Sequence, residues 1–181
     1  MKLKMFFAGS GGQGTLAIGQ MIAKAAMDEG KEVTWLPSYG PEMRGGTANC
    51  TVVVSDKPIA CPLINEADLL VVMNLPSLLK FEPMVVPEGL LMVNSSLVPE
   101  KAKRSDIRAV YVPADEKARE LGSGKAANIV MLGAILKETG IVSPESIRAQ
   151  MKKMFSGHKA KFLPMNEAAF RLYLEGDSAP S

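Results

Sequence analysis

The chain has 181 residues, of which 47% are hydrophobic and 22% are charged, and its formal net charge is +2. These values exclude a disordered chain, are typical of one globular domain, and give no electrostatic case for binding nucleic acid or an anionic membrane. No apolar run approaches the roughly 20 residues that span a bilayer, and no leader precedes the first predicted strand, so we expect a cytoplasmic protein.

A glycine-rich loop follows the first apolar run, residues 5–8, and precedes a predicted helix that ends near Gly30. The loop consists of Gly9, Ser10, Gly11, Gly12, Gln13 and Gly14. Between a strand and a helix, such glycines let phosphates approach the main chain and the first N–H groups of the helix. The pattern predicts a phosphate-binding loop or, as the alternative, a turn that serves only tight packing.

The second predicted strand, residues 32–36, argues against a dinucleotide site. A dinucleotide-binding unit carries Asp or Glu about 20 residues past the glycine loop, where it holds the ribose. Here the strand runs into Pro37, Ser38 and Tyr39, and no acid stands at its end. We therefore do not expect NAD or FAD.

The following loop, residues 37–47, is rich in glycine and proline and presents Tyr39, Glu42 and Arg44. The Arg44 guanidinium can hold a phosphate or carboxylate through two parallel hydrogen bonds. The alternative is an ion pair of Arg44 with Glu42 or with a partner protein.

Short apolar runs predict further strands, buried on both faces, at residues 52–54, 69–73 and 90–93, and residues 108–112 are predicted to form another strand. A turn at residues 55–58 predicts an antiparallel hairpin that joins the first of these runs to residues 59–61. A short helix is predicted at residues 76–81, because Pro76 suits a first helical position.

The last third of the chain is predicted to be helical. Residues 125–139 are apolar almost all round and predict a buried helix. Ser143 and Pro144 begin a second helix, residues 165–174 form a third, and a frayed tail begins at Gly176. The fold prediction is a single α/β domain, residues 1–181: a Rossmann-like open, mostly parallel sheet with helices on both faces, one antiparallel hairpin and a helical C-terminal third.

Thiols and imidazoles are scarce, since Cys50, Cys61 and His158 are the whole supply. They cannot form a four-ligand zinc site or a cysteine-ligated iron–sulfur cluster, so we predict no metal site. We expect buried, reduced thiols and a solvated His158 between two helices. No nucleophile or general base is predicted.

Polar residues follow the predicted strands at Ser10, Ser38, Tyr39, Asn74 and residues 94–96. Because ligands of open α/β sheets bind beyond the carboxyl ends of the strands, these residues predict a binding surface rather than a reaction centre. Ordinary strand ends are also polar, which is the alternative.

Three ordered motifs, residues 9–14, 38–46 and 128–133, resemble the gamma subunit of 2-oxoacid:ferredoxin (acceptor) oxidoreductases. The resemblance covers nearly the whole chain, which is similar to the pyruvate/ketoisovalerate oxidoreductase gamma domain. The sequence Trp35-Leu36-Pro37 looks most like the 2-oxoglutarate type, and pyruvate, branched-chain 2-oxoacid and indolepyruvate relatives are alternatives.

The resemblance implies a subunit that is inactive alone. The complex decarboxylates a 2-oxoacid on thiamine diphosphate with Mg²⁺, passes electrons through iron–sulfur clusters to ferredoxin, and releases an acyl-CoA. Those cofactors belong to the alpha, beta and possibly delta (ferredoxin-like) subunits. The gamma subunit is implied to help bind coenzyme A, for which Tyr39, Arg44 and the glycine loop are the candidates. The alternative function is a free-standing nucleotide-binding module, which the glycine loop alone supports.

Overall fold

The computed structural model describes residues 1–39 and 47–176. In this part of the chain, all strands lie within residues 2–112, and the last third is helical. The strands are β1 (Lys2–Ser10), β2 (Glu32–Tyr39), β3 (Thr47–Ser55), β4 (Ala67–Val72), β5 (Val85–Asn94) and β6 (Arg108–Val112). The α-helices are α1 (Thr15–Asp28), α2 (Leu75–Phe81), α3 (Ala114–Glu120), α4 (Ala127–Thr139), α5 (Pro144–Met154) and α6 (Leu163–Leu174).

The six strands form one sheet in the order β2-β3-β1-β4-β5-β6. Strands β1, β4, β5 and β6 are parallel to one another, whereas β3 runs antiparallel to both β1 and β2. The predicted open, mostly parallel α/β sheet is therefore confirmed. The reversed strand β3 separates β1 from β2.

The antiparallel hairpin exists, but the prediction of its second strand was wrong. Strand β3 pairs along one edge with β1 and along the other with β2, so that Val52 faces Met5 on one side and Trp35 on the other. Residues 59–61 have no edge of β3 left to pair with, and they form no strand. The hairpin partner of β3 is β2, which continues through Pro37 to Tyr39 because an edge strand tolerates proline.

Alternating side chains divide the core into two layers. Met5 and Phe7 of β1 face a large cluster that α1, α3, α4, α5 and α6 cover. Phe6 and Ala8 face a smaller cluster that includes Leu78 of α2. Helices therefore lie on both faces, as predicted, but most of them lie on one.

The last third of the chain is helical as predicted, but helices α4 and α6 begin at other residues than predicted. Helix α4 is buried on nearly all sides, and α5 begins after Ser143, whose hydroxyl accepts a hydrogen bond from the Ser146 N–H at 3.2 Å. Helix α6 begins at Leu163, two residues earlier than predicted, because Pro164 fits its first turn. Helix α3 was not predicted. No helix in residues 1–39 and 47–176 is long and apolar enough to cross a bilayer.

Candidate functional site

The glycine loop connects the carboxyl end of β1 to the first turn of α1, as the sequence predicts. Gly12 and Gly14 adopt positive φ angles of 89° and 72°, which other residues rarely adopt. Gly14 is the N-cap of α1, no side chain caps this helix, and its first turn carries no acid. The first N–H groups of α1 therefore keep their positive character for an anion.

Gln13 holds the loop in this shape. Its side-chain oxygen accepts a hydrogen bond from the Ser10 N–H at 2.7 Å, and its Nε2 donates to the Met73 carbonyl, after β4, at 3.1 Å. A Cβ at Gly9 would lie 2.6 Å from both Gln13 Oε1 and Thr15 Oγ1. Gly9 and Gln13 thus shape the loop, whereas the Thr15 hydroxyl is buried and has no hydrogen-bond partner among the described residues.

Two cavities flank the loop. The first, of about 360 Å³, lies between the loop and the start of β3, where Thr47 and Ala48 complete its wall. The second, of about 410 Å³, lies on the other side of Gly12 and is also lined by Asp115 and Lys125. Gly12 borders both cavities, and a Cβ built on it would meet no atom within 4 Å. The loop backbone is therefore open to a ligand from both sides.

Two of the three sequence motifs meet at Gly14. A Cβ on this glycine would collide with the amide of Asn128, in the first turn of α4, and would lie 3.0 Å from Asn128 Cβ. Asn128 also lines the second cavity. The close approach joins the glycine loop to the buried helix α4 and fixes the position of one against the other.

The other polar residues at the strand ends chiefly hold helices. Asn74 Oδ1 accepts from the Ser77 N–H at 3.0 Å and caps α2. The buried Asn94 accepts from the Ala114 N–H at 3.2 Å and donates to Asp115 Oδ2 at 2.6 Å, which positions the start of α3. Ser38 is exposed on β2, which β3 separates from β1. Asn74 and Asn94 therefore use their side chains to hold helices, and a binding surface formed by these strand ends stays a prediction.

Tyr39 and Arg44, the candidate ligand-binding residues of the loop at residues 37–47, stay predictions. Tyr39 is the last residue of β2, where its backbone pairs with Ala48. Arg44 and Glu42 lie outside the described residues.

Asp115 and Lys125 are cavity residues that the sequence analysis missed. Asp115 lies in the first turn of the unpredicted helix α3, and Lys125 lies in a short 3-10 helix, Gly124–Ala126, before α4. A turn-and-acid pattern after β6, Pro113-Ala114-Asp115-Glu116, was the available signal for a helix N-terminus.

The thiols differ from each other. Burial raises the pKa of the Cys50 thiol to about 12, so it is inert at neutral pH. Cys61 is exposed, which corrects the expectation that both thiols are buried. Among the described residues, no three His, Cys, Asp or Glu side chains lie close enough together to hold a metal ion.

Comparisons with known proteins agree with this architecture. The family model described as Pyruvate ferredoxin/flavodoxin oxidoreductase matches residues 4–175. The ketoisovalerate oxidoreductase subunit VorA of Methanothermobacter marburgensis is 40% identical over 91% of the chain, which spans only 34% of that protein. The chain thus spans about a third of the length of the curated relatives it matches first.

Relatives of similar length also exist. The 2-oxoglutarate synthase subunit KorC of the same organism is 33% identical, with 97% of this chain and 99% of that protein covered. The keto/oxoacid ferredoxin oxidoreductase gamma subunit of Geobacter sulfurreducens has the same fold, with a TM-score of 0.81, 30% identity and 96% of each chain covered. The chain therefore belongs to the pyruvate ferredoxin/flavodoxin oxidoreductase family, as a gamma-type subunit.

Proposed function

We propose that this chain acts inside a multi-subunit 2-oxoacid:ferredoxin oxidoreductase, where it contributes to coenzyme A binding and to assembly rather than to bond chemistry. The single observation that carries the proposal is the glycine loop of a gamma-type subunit, open on both sides to a ligand. In this proposal, alpha and beta subunits, and possibly a delta subunit, hold thiamine diphosphate, Mg²⁺ and the iron–sulfur clusters.

The loop fits the phosphates of coenzyme A. Its glycines leave the backbone bare, and the uncapped first turn of α1 offers N–H donors. Lys125 adds a positive charge to the second cavity, next to Gly12. The Asp115 carboxylate lies in the same cavity and accepts a hydrogen bond from Asn94, so the proposed place for phosphate is on the Gly12 and Lys125 side.

Gly12→Ala tests the role of the loop, with Gly30→Ala as the matched control. Gly30 has φ +83°, close to the +89° of Gly12, and an added Cβ meets nothing within 4 Å at either position. Both variants therefore carry similar backbone strain, but only Gly12 borders the cavities. Losing a charged hydrogen bond removes about 1.5–3 kcal/mol, so Gly12→Ala should raise the KM of the assembled complex for coenzyme A roughly 10- to 150-fold.

Gly30→Ala should leave that KM unchanged. Equal KM values in both variants and the wild type, in complexes of normal composition, would show that the loop serves packing alone.

The proposed substrate is 2-oxoglutarate. The sequence Trp35-Leu36-Pro37 resembles this type, whereas the names of the relatives include both ketoisovalerate and 2-oxoglutarate enzymes. Comparing the kcat/KM of the assembled complex for 2-oxoglutarate, 2-oxoisovalerate and pyruvate decides between them. A clear preference for 2-oxoisovalerate or pyruvate would contradict the assignment.

Purification from native cells tests the complex itself. The chain should co-elute with larger subunits that carry thiamine diphosphate and iron–sulfur absorbance. The isolated chain, given 2-oxoglutarate, thiamine diphosphate, Mg²⁺, coenzyme A and a viologen dye, should not reduce the dye. Steady dye reduction by the pure chain would refute the assignment as a non-catalytic subunit. The cytoplasmic location stays a prediction.

A further inference from the structure

A third cavity, of about 610 Å³, opens between the start of α4, the end of α5 and the start of α6. Its wall is largely apolar and includes Met154, Phe155, Phe162 and Met165. Lys125 and Asn128 line both this cavity and the second glycine-loop cavity. The two cavities therefore adjoin at Lys125 and Asn128.

Phe162 is placed to stack on a flat ring. It ends a 3-10 helix, Gly157–Phe162, the residue is 44% exposed, and its carbonyl accepts a hydrogen bond from Asn166 Nδ2 at 2.8 Å. Asn166 is buried at the start of α6 and also lines the cavity. The hydrogen bond fixes the backbone that carries the exposed ring.

Two lysines lie at the pocket. The chain from Arg148 to Leu163 has four lysines and no acid, and of these Lys153 lies 3.9 Å from Asp28, away from the pocket. The Lys161 ammonium lies 5.2 Å from the centre of the Phe162 ring, and Lys125 lines the pocket itself. Asp115 is the acid of the adjoining cavity, and it accepts a hydrogen bond from Asn94. Cations beside an exposed aromatic ring suit a ligand that joins a flat base to phosphates.

We propose that this pocket binds the purine nucleotide end of the ligand held at the glycine loop, with Phe162 stacking on the base and Lys125 pairing with a phosphate. The inference rests on the proposed function, in which that ligand is coenzyme A. Phe162 and Lys125 then determine the preference for the whole nucleotide-bearing ligand over its truncated pantetheine part.

The test compares adenosine 3′,5′-bisphosphate and pantetheine as probes. Base stacking on an aromatic side chain contributes about 1–3 kcal/mol, so Phe162→Leu should raise the Kd of the full chain for the bisphosphate about 5- to 150-fold. Phe162→Trp keeps an aromatic face and should restore binding. Lys125→Gln should also weaken binding. Lys57→Gln is the charge-matched control and should not weaken it, because Lys57 is exposed just after the end of β3, where β3 pairs with the start of β1.

The assembled complex supplies a second measurement. Phe162→Leu should raise the KM for coenzyme A and leave the rate with pantetheine unchanged. An unchanged Kd for the bisphosphate in Phe162→Leu and Lys125→Gln would overturn the inference. So would variants that bind normally but fail to assemble, because the pocket would then receive a side chain of another subunit. If Gly12→Ala impairs coenzyme A use and Phe162→Leu does not, the proposed function stands and this inference alone fails.

Discussion

Replacing Gly14 by alanine should destabilise the fold in two separable ways. Gly14 has φ +72°, and an L residue in this left-handed region costs about 1–2 kcal/mol. The new methyl group would also collide with the Asn128 side chain on α4, and overpacking of this kind costs about 1–3 kcal/mol. Together these effects should lower the free energy of unfolding by about 2–5 kcal/mol, which corresponds to roughly 4–20 °C in Tm.

Urea unfolding of four variants separates the two contributions. Gly12→Ala and Gly30→Ala have positive φ and open space, so each should lose only the backbone part, about 1–2 kcal/mol. Asn128→Ala in the Gly14→Ala background removes the colliding amide and should recover much of the remaining loss. If Gly14→Ala is no more destabilising than Gly12→Ala, or if Asn128→Ala recovers nothing, the contact between the loop and α4 is not what makes glycine necessary here.

Three further predictions concern parts of the fold outside the loop. A Cβ on Gly133 would collide with the Phe170 carbonyl oxygen of α6, so Gly133→Ala should lower the free energy of unfolding by about 1–3 kcal/mol; a neutral effect in urea unfolding would contradict the close helix packing. Burial raises the pKa of Glu29, but hydrogen bonds from the Ser143 N–H and the Ser146 hydroxyl outweigh it and lower the pKa from 4.5 to about 2. The stability that this carboxylate contributes is therefore present above pH 4.5 and is lost as the pH falls toward 2. The free energies of unfolding of the wild type and of Glu29→Gln should differ by less than about 1 kcal/mol, because solvent screens the exposed carboxylate, and this difference should vanish as the pH falls over that range. At pH 8 a thiol reagent should modify exposed Cys61 quickly and buried Cys50 only after unfolding; rapid reaction of the Cys61→Ser variant would contradict the burial of Cys50.

Local signals in the sequence were sufficient for most of the elements. The glycine loop between a strand and a helix, the Ser143 cap and the apolar strand β6 depend on neighbouring residues, and the structure places them where the sequence predicts. The position of β3 depends on long-range pairing with β1 and β2, which no local pattern reveals. Helix α3 was missed because its buried residues are only Ala114 and Ala118, too small to produce a clear apolar period.

The candidate site could be predicted only in part for the same reason. The glycine loop is a local motif, but its cavity also needs Asp115, Lys125 and Asn128, which come from separate elements after β6. Asn128 belongs to a motif that the sequence analysis quoted. Its contact with Gly14 follows from the packing of α4 beside α1, which the sequence pattern does not specify.

The reversed strand β3 also limits what engineering could achieve with this domain. Neighbouring strands lie about 4.8 Å apart, so the interposed strand places β2 about 10 Å from β1, twice the distance between parallel neighbours. An acid introduced at the end of β2 would therefore stand too far from the glycine loop to hold the ribose of a dinucleotide bound there. Converting this fold to NAD binding would require removing a strand, and a single substitution would not suffice. The same geometry makes a gain of NAD binding by point mutation an improbable route for the domain in evolution.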